Sequence, residues 1–409
     1  MNILLISDVY FPRVNGVSTS IRTFTEQLQN LGHSVHLIAP DYTNVKCALA
    51  SPDNQSEEKW ITRVAARNIY FDPEDKLMKM SEILRLIPDL KNRNFDIVHV
   101  HTPFIAHYAG LKLAKLLNIP VLETYHTFFE DYLHHYLPWI PHFVARAMAR
   151  KISKKQCNQV DAIVAPSQPM LDVLRGYGVN RLADVIATGL QASSFNTADG
   201  NAFKQKYNIP FNRPMLLYVG RVAHEKNISF LLDVTRLLID TVPDVLLVIT
   251  GEGPALPSLQ ASAKAQSLEQ NVQFIGYLDR NTELNACYKS ADIFVFASKS
   301  ETQGLVLLEA MAQGTPVVAI AELGTASILI EGQGALISPE NESEFVQKVH
   351  SLLINKSLRD QIGEAGREYA LTKWSATVQA ERVIKFYNKV LYAQLGQINK
   401  QAKLQSYLR

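Results

Sequence analysis

The sequence predicts an α/β protein built from two doubly wound domains, and three observations predict it. Short apolar runs alternate with longer helical patterns along nearly the whole chain. The runs are apolar on both faces, as strands are in parallel sheets covered by helices. One polar, turn-rich break near 190–213 divides the alternation in two, which is linker chemistry. The length agrees, since 409 residues at roughly 100–200 per domain allow two or three domains.

In the first half, strands are expected at 2–7, 34–39, 95–101, 119–124, 161–165 and 183–188, with helices near 17–31, 79–91, 104–117, 138–159 and 167–176. In the second half, strands are expected at 214–219, 245–250, 272–276, 292–297, 316–320 and 334–337. Helices there read near 226–241, 256–268, 281–290, 304–313, 324–330, 341–354 and 357–372. The segment 41–75 is polar and poorly periodic, and reads as loops and short strands. A final helix, 375–397, follows a second break at Trp374-Ser375. The expected domains are therefore 1–192 and 200–374.

Composition excludes several classes. Apolar residues make up 47% and charged residues 20%, ordinary for a globular protein and contrary to disorder or fibre. The 41 basic and 39 acidic residues leave a net charge of +2, so the whole molecule is no polyanion binder and no nucleic-acid partner is expected. The three cysteines, Cys47, Cys157 and Cys287, are far apart and form no C-x-x-C pair. That argues against a disulfide framework or a cysteine metal site and fits a reducing compartment. No run of about 18 apolar residues exists to span a bilayer. Met1–Ser7 opens directly as a strand with no basic leader, so a cytoplasmic enzyme is the expectation.

In open α/β sheets ligands bind beyond the carboxyl ends of the strands, and two such domains would turn two sets of strand ends toward one cleft. The loops after strands are therefore where chemistry is expected. Tyr10–Gly16 leaves the first strand and opens a helix, where Gly16 permits close backbone approach and free N–H groups attract an anion. It equally suits an ordinary βα turn, and it is not the G-x-G-x-x-G of nicotinamide sites. After the strand ending at Val219 come Gly220, Arg221 and Lys226. Two cations five apart around a turn can converge on a diphosphate, Arg as a fork and Lys as a point charge. A solvated charged loop, with Glu225 neutralising a neighbour, is the alternative.

Glu301 sits in the loop beyond the strand Asp292–Ala297, Gly304 opens a helix, and Glu309 lies about a turn and a half into it. Backbone N–H groups around Gln303–Val306 suit phosphate. Two carboxylates beside a phosphate make sense when they accept hydrogen bonds from hydroxyls, which sugars supply; otherwise they are dipole-stabilising and solvent-exposed. His99, His101 and His126 end two strands of the first half, and each is a candidate base or a structural residue. Residues 139–155 form a cationic helix with an aromatic entry, suited to anionic lipid or simply to a solvated face.

Taken together, the motifs resemble those of glycosyltransferase family 4, whose members are retaining GT-B enzymes. They are Phe11-Pro12 with Asn15-Gly16-Val17; Gly32-His33 with Val35; His99, His101 and Pro103; Thr124-Tyr125-His126; Pro166-Ser167; Thr188-Gly189-Leu190; Gly220-Arg221 with Glu225-Lys226-Asn227; Gly251 with Gly253-Pro254; Phe274 with Gly276; and Glu301 to Glu309 followed by Gly314-Thr315-Pro316-Val317-Val318. Each is weak alone, but their shared order runs through most of the chain. Gln191 departs from the pattern, standing where the family often has Asp.

The resemblance implies a GT-B fold with an acceptor-binding first domain and a donor-binding second domain. The C-terminal segment 375–409 would cross back to the first domain, and the two domains would close on donor binding about a hinge near 190–213. It implies that Gly16, Arg221 and Lys226 contact the donor diphosphate, Glu301 the sugar hydroxyls, Glu309 the ribose, and His126 the transferred sugar. Gln303, Gly304 and Leu305 would give backbone contacts, and Tyr277 and Leu278 would receive the base. The implied mechanism is front-face attack, with no metal or other cofactor and the leaving phosphate taking the acceptor proton. The closest likeness within the family is to diacylglycerol glucosyltransferases, through Glu130-Asp131-Tyr132 and Glu301-Thr302-Gln303-Gly304. That likeness favours UDP-glucose as donor and a lipid acceptor, with the protein peripheral on the inner face of the cell membrane. A GDP-mannose-dependent mannosyltransferase, a transferase for a soluble or polysaccharide acceptor, and a non-catalytic nucleotide-sugar-binding regulator remain as alternatives.

Overall fold

The computed structural model describes residues 1–42, 57–69, 72–126, 141–280 and 282–407. They fall into two units, Met1–Gly189 with Ala376–Arg409, and Leu190–Ser375.

The first unit is built on β1 (Asn2–Ile6), β2 (Ser34–Pro40), β3 (Ile61–Val64), a separate antiparallel ribbon of β4 (Ala66–Ile69) and β5 (Asp72–Met78), then β6 (Ile97–Val100), β7 (Val121–Thr124), β8 (Ala162–Ala165) and β9 (Leu182–Val185). Seven of these form one parallel sheet in the order β3-β2-β1-β6-β7-β8-β9. β1 shows why the sheet is covered on both faces. Leu4 and Ile6 pack with Val98 and Val100 on one side, while Ile3 and Leu5 pack with Ile21 and Leu37 on the other. Alternate residues of a strand point to opposite faces, so an all-apolar strand needs cover on both.

The second unit contains β10 (Met215–Val219), β11 (Leu246–Thr250), β12 (Val272–Gly276), β13 (Ile293–Phe296), β14 (Val317–Ala319) and β15 (Ala335–Ile337). They form a six-stranded parallel sheet in the order β12-β11-β10-β13-β14-β15. Both sheets step outward from a reversal in strand order, between β1 and β6 in one and between β10 and β13 in the other. Such switch points are where open α/β sheets bind ligands.

The helix Ala376–Tyr407 belongs to the first unit. Val383, Phe386, Tyr387 and Val390 recur at helical spacing and join the cluster of Ile3, Leu5 and Ile21. The helix continues well past the expected end at 397.

The polar segment 41–75 carries the short strands expected there, β3 at the sheet edge and β4 in the ribbon. Arg63 interrupts the apolar run of β3, and an edge strand tolerates that. Three further expectations need revision. The turn-rich stretch 190–213 contains a helix, Gly200–Lys206, whose N-terminus is capped by Asp199 accepting from Asn201 N and Ala202 N at 2.9 and 3.1 Å. The expected helix 79–91 is two, Met80–Arg85 and Ile87–Asn92, with Pro88 opening the second. The expected helix 324–330 is a 3₁₀ turn, Leu323–Ser327.

Candidate active site

In the second unit the two loops at the switch point meet. β10 ends at Val219, Gly220 follows it, and a 3₁₀ turn, His224–Lys226, leads to Asn227 in the left-handed region before the helix Ile228–Leu238. Tyr218, fully buried in β10, donates through its hydroxyl to the Arg221 carbonyl at 3.2 Å and so ties the loop to the core. From the other side, β13 runs into the loop carrying Glu301. Lys226 Nζ donates to Glu301 Oε1 at 2.6 Å, the two side chains being 11% and 22% exposed. Arg221 is more open, with Glu225 Oε1 at 3.9 Å from its guanidinium. Lys226 and Glu301 are 75 residues apart in sequence, and only the fold makes them a pair.

Gly304 caps the helix Leu305–Ala312 at φ 95°. That conformation favours glycine, and a Cβ there would also lie 3.2 Å from Leu307 and Thr325. Below the loop, Gly324 N donates to the Glu301 carbonyl at 2.8 Å, and a Cβ on Gly324 would overlap the Thr302 backbone. The Glu301 loop is thus seated on the backbone of the turn at 323–327.

The two ends of the carboxylate motif differ. Glu309 is buried, not solvent-exposed as one reading of the sequence allowed. Its Oε2 accepts from the Tyr288 hydroxyl at 2.8 Å, and its Oε1 pairs with Arg280. Burial raises the Tyr288 pKa, against the opposing pull of Arg280, so the phenol stays a donor. Neither Arg280 nor Tyr288 was singled out from sequence, because nothing short of the fold brings residues 280, 288 and 309 together. Tyr277 is half-exposed, but Leu278 lies in the hydrophobic core, so its side chain lines no open site. The buried Gln303 and half-buried Leu305 flank Gly304.

The first unit's switch-point loops carry a different chemistry. Asp8, beyond β1, is buried and accepts through Oδ2 from Thr102 Oγ1 at 3.0 Å and from Ala106 N at 2.8 Å. It joins the β1 and β6 loops at the start of the helix Ile105–Leu117, and sequence reasoning passed over it. Asn15 accepts from Ser18 N at 2.9 Å and starts the helix Gly16–Asn30; a Cβ on Gly16 would meet nothing within 4 Å.

His99 and His101, two apart on β6, lie with ring centroids 4.2 Å apart. His99 is held at both nitrogens, Nδ1 to the Tyr387 hydroxyl and Nε2 to Thr124 Oγ1, each at 2.7 Å. His101 Nδ1 is 3.1 Å from His126 Nε2. Burial pushes His99 down to about 3, with the nearby His126 adding to it, and pushes His126 down to about 4. His101 is likewise held well below the ordinary value, by burial first and by its two histidine neighbours second. All three are neutral at pH 7. A nitrogen-to-nitrogen hydrogen bond needs one donor and one acceptor, which two neutral rings supply. His99 is therefore structural and not a base, with both nitrogens occupied and its proton affinity low.

Behind them, the buried His107 pairs with Glu123 at 2.8 Å and contacts Gln159 at 3.2 Å. Burial lowers the His107 pKa, but hydrogen bonding to Glu123, its charge and the Gln159 contact outweigh this and raise it.

The cationic helix is His142–Cys157. Ala145, Ala149, Ser153 and Gln156 form its buried stripe, while Arg146, Arg150, Lys151, Lys154 and Lys155 are exposed. So are Phe143, at 76%, Met148 and Ile152. Residues 127–140, including Glu130, Asp131, Tyr132 and Trp139, lie outside the described residues. No helix among the described residues is long and apolar enough to cross a membrane.

Two parallel doubly wound sheets in two units are the architecture of the GT-B fold, and comparison with known structures agrees. An Anabaena protein, HepE, solved in complex with UDP, superposes with a TM-score of 0.75 at 14% identity, covering 95% of this chain and all of that one. Residues 14–193 match the model of Glycosyltransferase Family 4, and residues 199–369 match that of Glycosyl transferases group 1. The alpha-monoglucosyldiacylglycerol synthase of Streptococcus pneumoniae is 32% identical over 324 residues, 78% of this chain and 71% of its own. That of Acholeplasma laidlawii is 26% identical over 361 residues, 86% and 88% of the two chains. The chain belongs to glycosyltransferase family 4 and is a glycosyltransferase.

Proposed function

We propose that this protein transfers glucose from UDP-glucose to the hydroxyl of diacylglycerol, with retention of configuration, at the inner face of the cell membrane. The observation that carries the donor half is the Lys226–Glu301 pair, with Arg221 beside it, at the switch point of the second unit. The second unit, over 200–374, is the donor domain, and the first, over 1–192 with the segment 375–409, takes the acceptor. Arg221, Lys226 and the backbone at Gln303, Gly304 and Leu305 receive the diphosphate, and Gly16 is assigned a contact with it. Lys226 orients Glu301, which accepts hydrogen bonds from sugar hydroxyls. Glu309, oriented by Tyr288, takes the ribose, and Tyr277 with the Leu278 backbone receives the base. His126, neutral and held by His101, offers a hydrogen bond to the transferred sugar without adding charge.

The bond from the sugar's anomeric carbon to the diphosphate oxygen breaks. A bond from that carbon to the acceptor oxygen forms on the same face, and the acceptor proton passes to the leaving phosphate. The cations stabilise the charge that develops on the diphosphate, and removing such a contact typically costs about 10²–10³-fold in rate. No step in this scheme is assigned to a metal or another cofactor.

The lipid half rests on two supports: the names of the relatives and the basic, partly apolar exposed face of His142–Cys157. The test is a transfer screen with UDP-glucose, UDP-galactose, UDP-N-acetylglucosamine and GDP-mannose, each with and without anionic vesicles containing diacylglycerol. UDP-glucose turnover that requires the vesicles is expected. Selective use of GDP-mannose, or transfer to soluble acceptors alone, would overturn the assignment of donor or acceptor respectively.

A further inference from the structure

We infer that a groove in the first unit, about 340 Å³ in volume, is the subsite for one acyl chain of the acceptor lipid. This inference rests on the lipid-acceptor reading above. The groove lies between Leu77 on β5, Phe104 and Tyr108 at the start of Ile105–Leu117, and Ala149 and Ile152 on His142–Cys157. Its volume is at the low end of the roughly 300–1,000 Å³ of small-molecule sites, enough for a chain and too small for a whole diacylglycerol.

Three observations select a hydrocarbon chain as the occupant. First, the lining is apolar. Its one side-chain amide, Gln156, already donates to the Pro103 carbonyl at 2.7 Å, so the groove offers little to a sugar that must replace its hydrogen bonds with water. Second, Pro103, which lines the groove and accepts that hydrogen bond, stands two residues beyond His101, which holds His126. Third, the outer wall is continuous with a face suited to a bilayer. Ile152 is 43% exposed, Met148 one turn away is 40% exposed, and Arg150, Lys151, Lys154 and Lys155 surround them. Cations at this edge complement an anionic surface, from which a single-chain groove draws its occupant.

The test uses dibutyryl-, dihexanoyl- and dioctanoylglycerol as monomeric acceptors, with UDP affinity as a control for folding and donor binding. In the wild type, KM falls by up to about fourfold for each methylene that enters the groove, the equivalent of burying one CH₂. Ile152→Trp shortens the groove, so the gain stops at dihexanoylglycerol; Phe104→Ser flattens the whole series. Both side chains are partly exposed, and UDP affinity stays within about twofold of wild type. Calorimetric binding of the same three lipids, which needs no turnover, follows the same order.

If chain length matters in the wild type but both variants keep its slope, the groove assignment is wrong and the lipid reading stands. If the wild type shows no chain-length dependence in either transfer or binding, the lipid reading fails and the groove falls with it.

Discussion

The two switch points of this molecule solve opposite electrostatic problems. In the second unit, Arg221, Lys226 and Glu301 stand at a partly open surface, where a cation is held in place by a carboxylate. In the first, His99, His101 and His126 are packed together and held uncharged by burial. The same topology therefore carries a charged cradle in one unit and a neutral hydrogen-bonding network in the other. The difference matches the tasks proposed for them. A leaving diphosphate needs positive charge, and a sugar hydroxyl needs a positioned donor or acceptor.

The comparison breaks most readily at the charged end. Lys226→Ala and Glu301→Ala are each expected to lower turnover by about 10²–10³-fold while leaving thermal unfolding within a few degrees of wild type. Steady-state kinetics with a circular-dichroism melt checks both, and a near-normal rate removes that residue's assigned role. The double variant should lose far less than the product of the two single losses, since each residue positions the other.

A smaller effect separates the two glutamates. Tyr288→Phe removes the donor to the buried Glu309 carboxylate, and a hydrogen bond to a charged group contributes about 1.5–3 kcal/mol. UDP binding should weaken about tenfold, whereas 2′,3′-dideoxy-UDP, which lacks the hydroxyls assigned to Glu309, should bind wild type and variant alike. Equal weakening of both nucleotides would remove Glu309 from ribose recognition.

A third test reads the neutral network through pH. The histidines at 36, 99, 101 and 126 have folded pKa values below that of a free imidazole, so the unfolded chain binds more protons in acid. Their contribution to stability is complete above about pH 6.5 and is lost as pH falls toward 4 and then 3. Each contributes a slope of at most about 1.4 kcal/mol per pH unit. His107, raised by Glu123, works in the opposite direction, its contribution being lost as pH rises through its folded value. Unfolding midpoints in urea should therefore fall steadily from pH 6.5 to 4. A flat profile would mean that the cluster is not held neutral.

Much of the fold was legible because its central strands are apolar on both faces, as in Ile3-Leu4-Leu5-Ile6. Where only part of a strand is buried, as in β3, the polar sequence allowed short strands in 41–75 but did not mark their limits. The helix Gly200–Lys206 was hidden by polar composition, with Phe203 and Lys204 its buried positions. For the candidate site, sequence located loops but not contacts. Lys226 and Glu301 could each be placed after a strand, yet their pairing depends on β10 and β13 being neighbours. The Arg280–Glu309–Tyr288 cluster and the Tyr387–His99 bond, 288 residues apart, arise from packing between distant elements and leave no local pattern.

The most direct test of the central claim is to supply UDP-glucose labelled with ¹³C at the anomeric carbon, together with dioctanoylglycerol, and read the product by NMR. The account predicts an α-linked glucosyl lipid as the single labelled glycolipid. A β-linked product, or label recovered only as free glucose at saturating lipid, would contradict it.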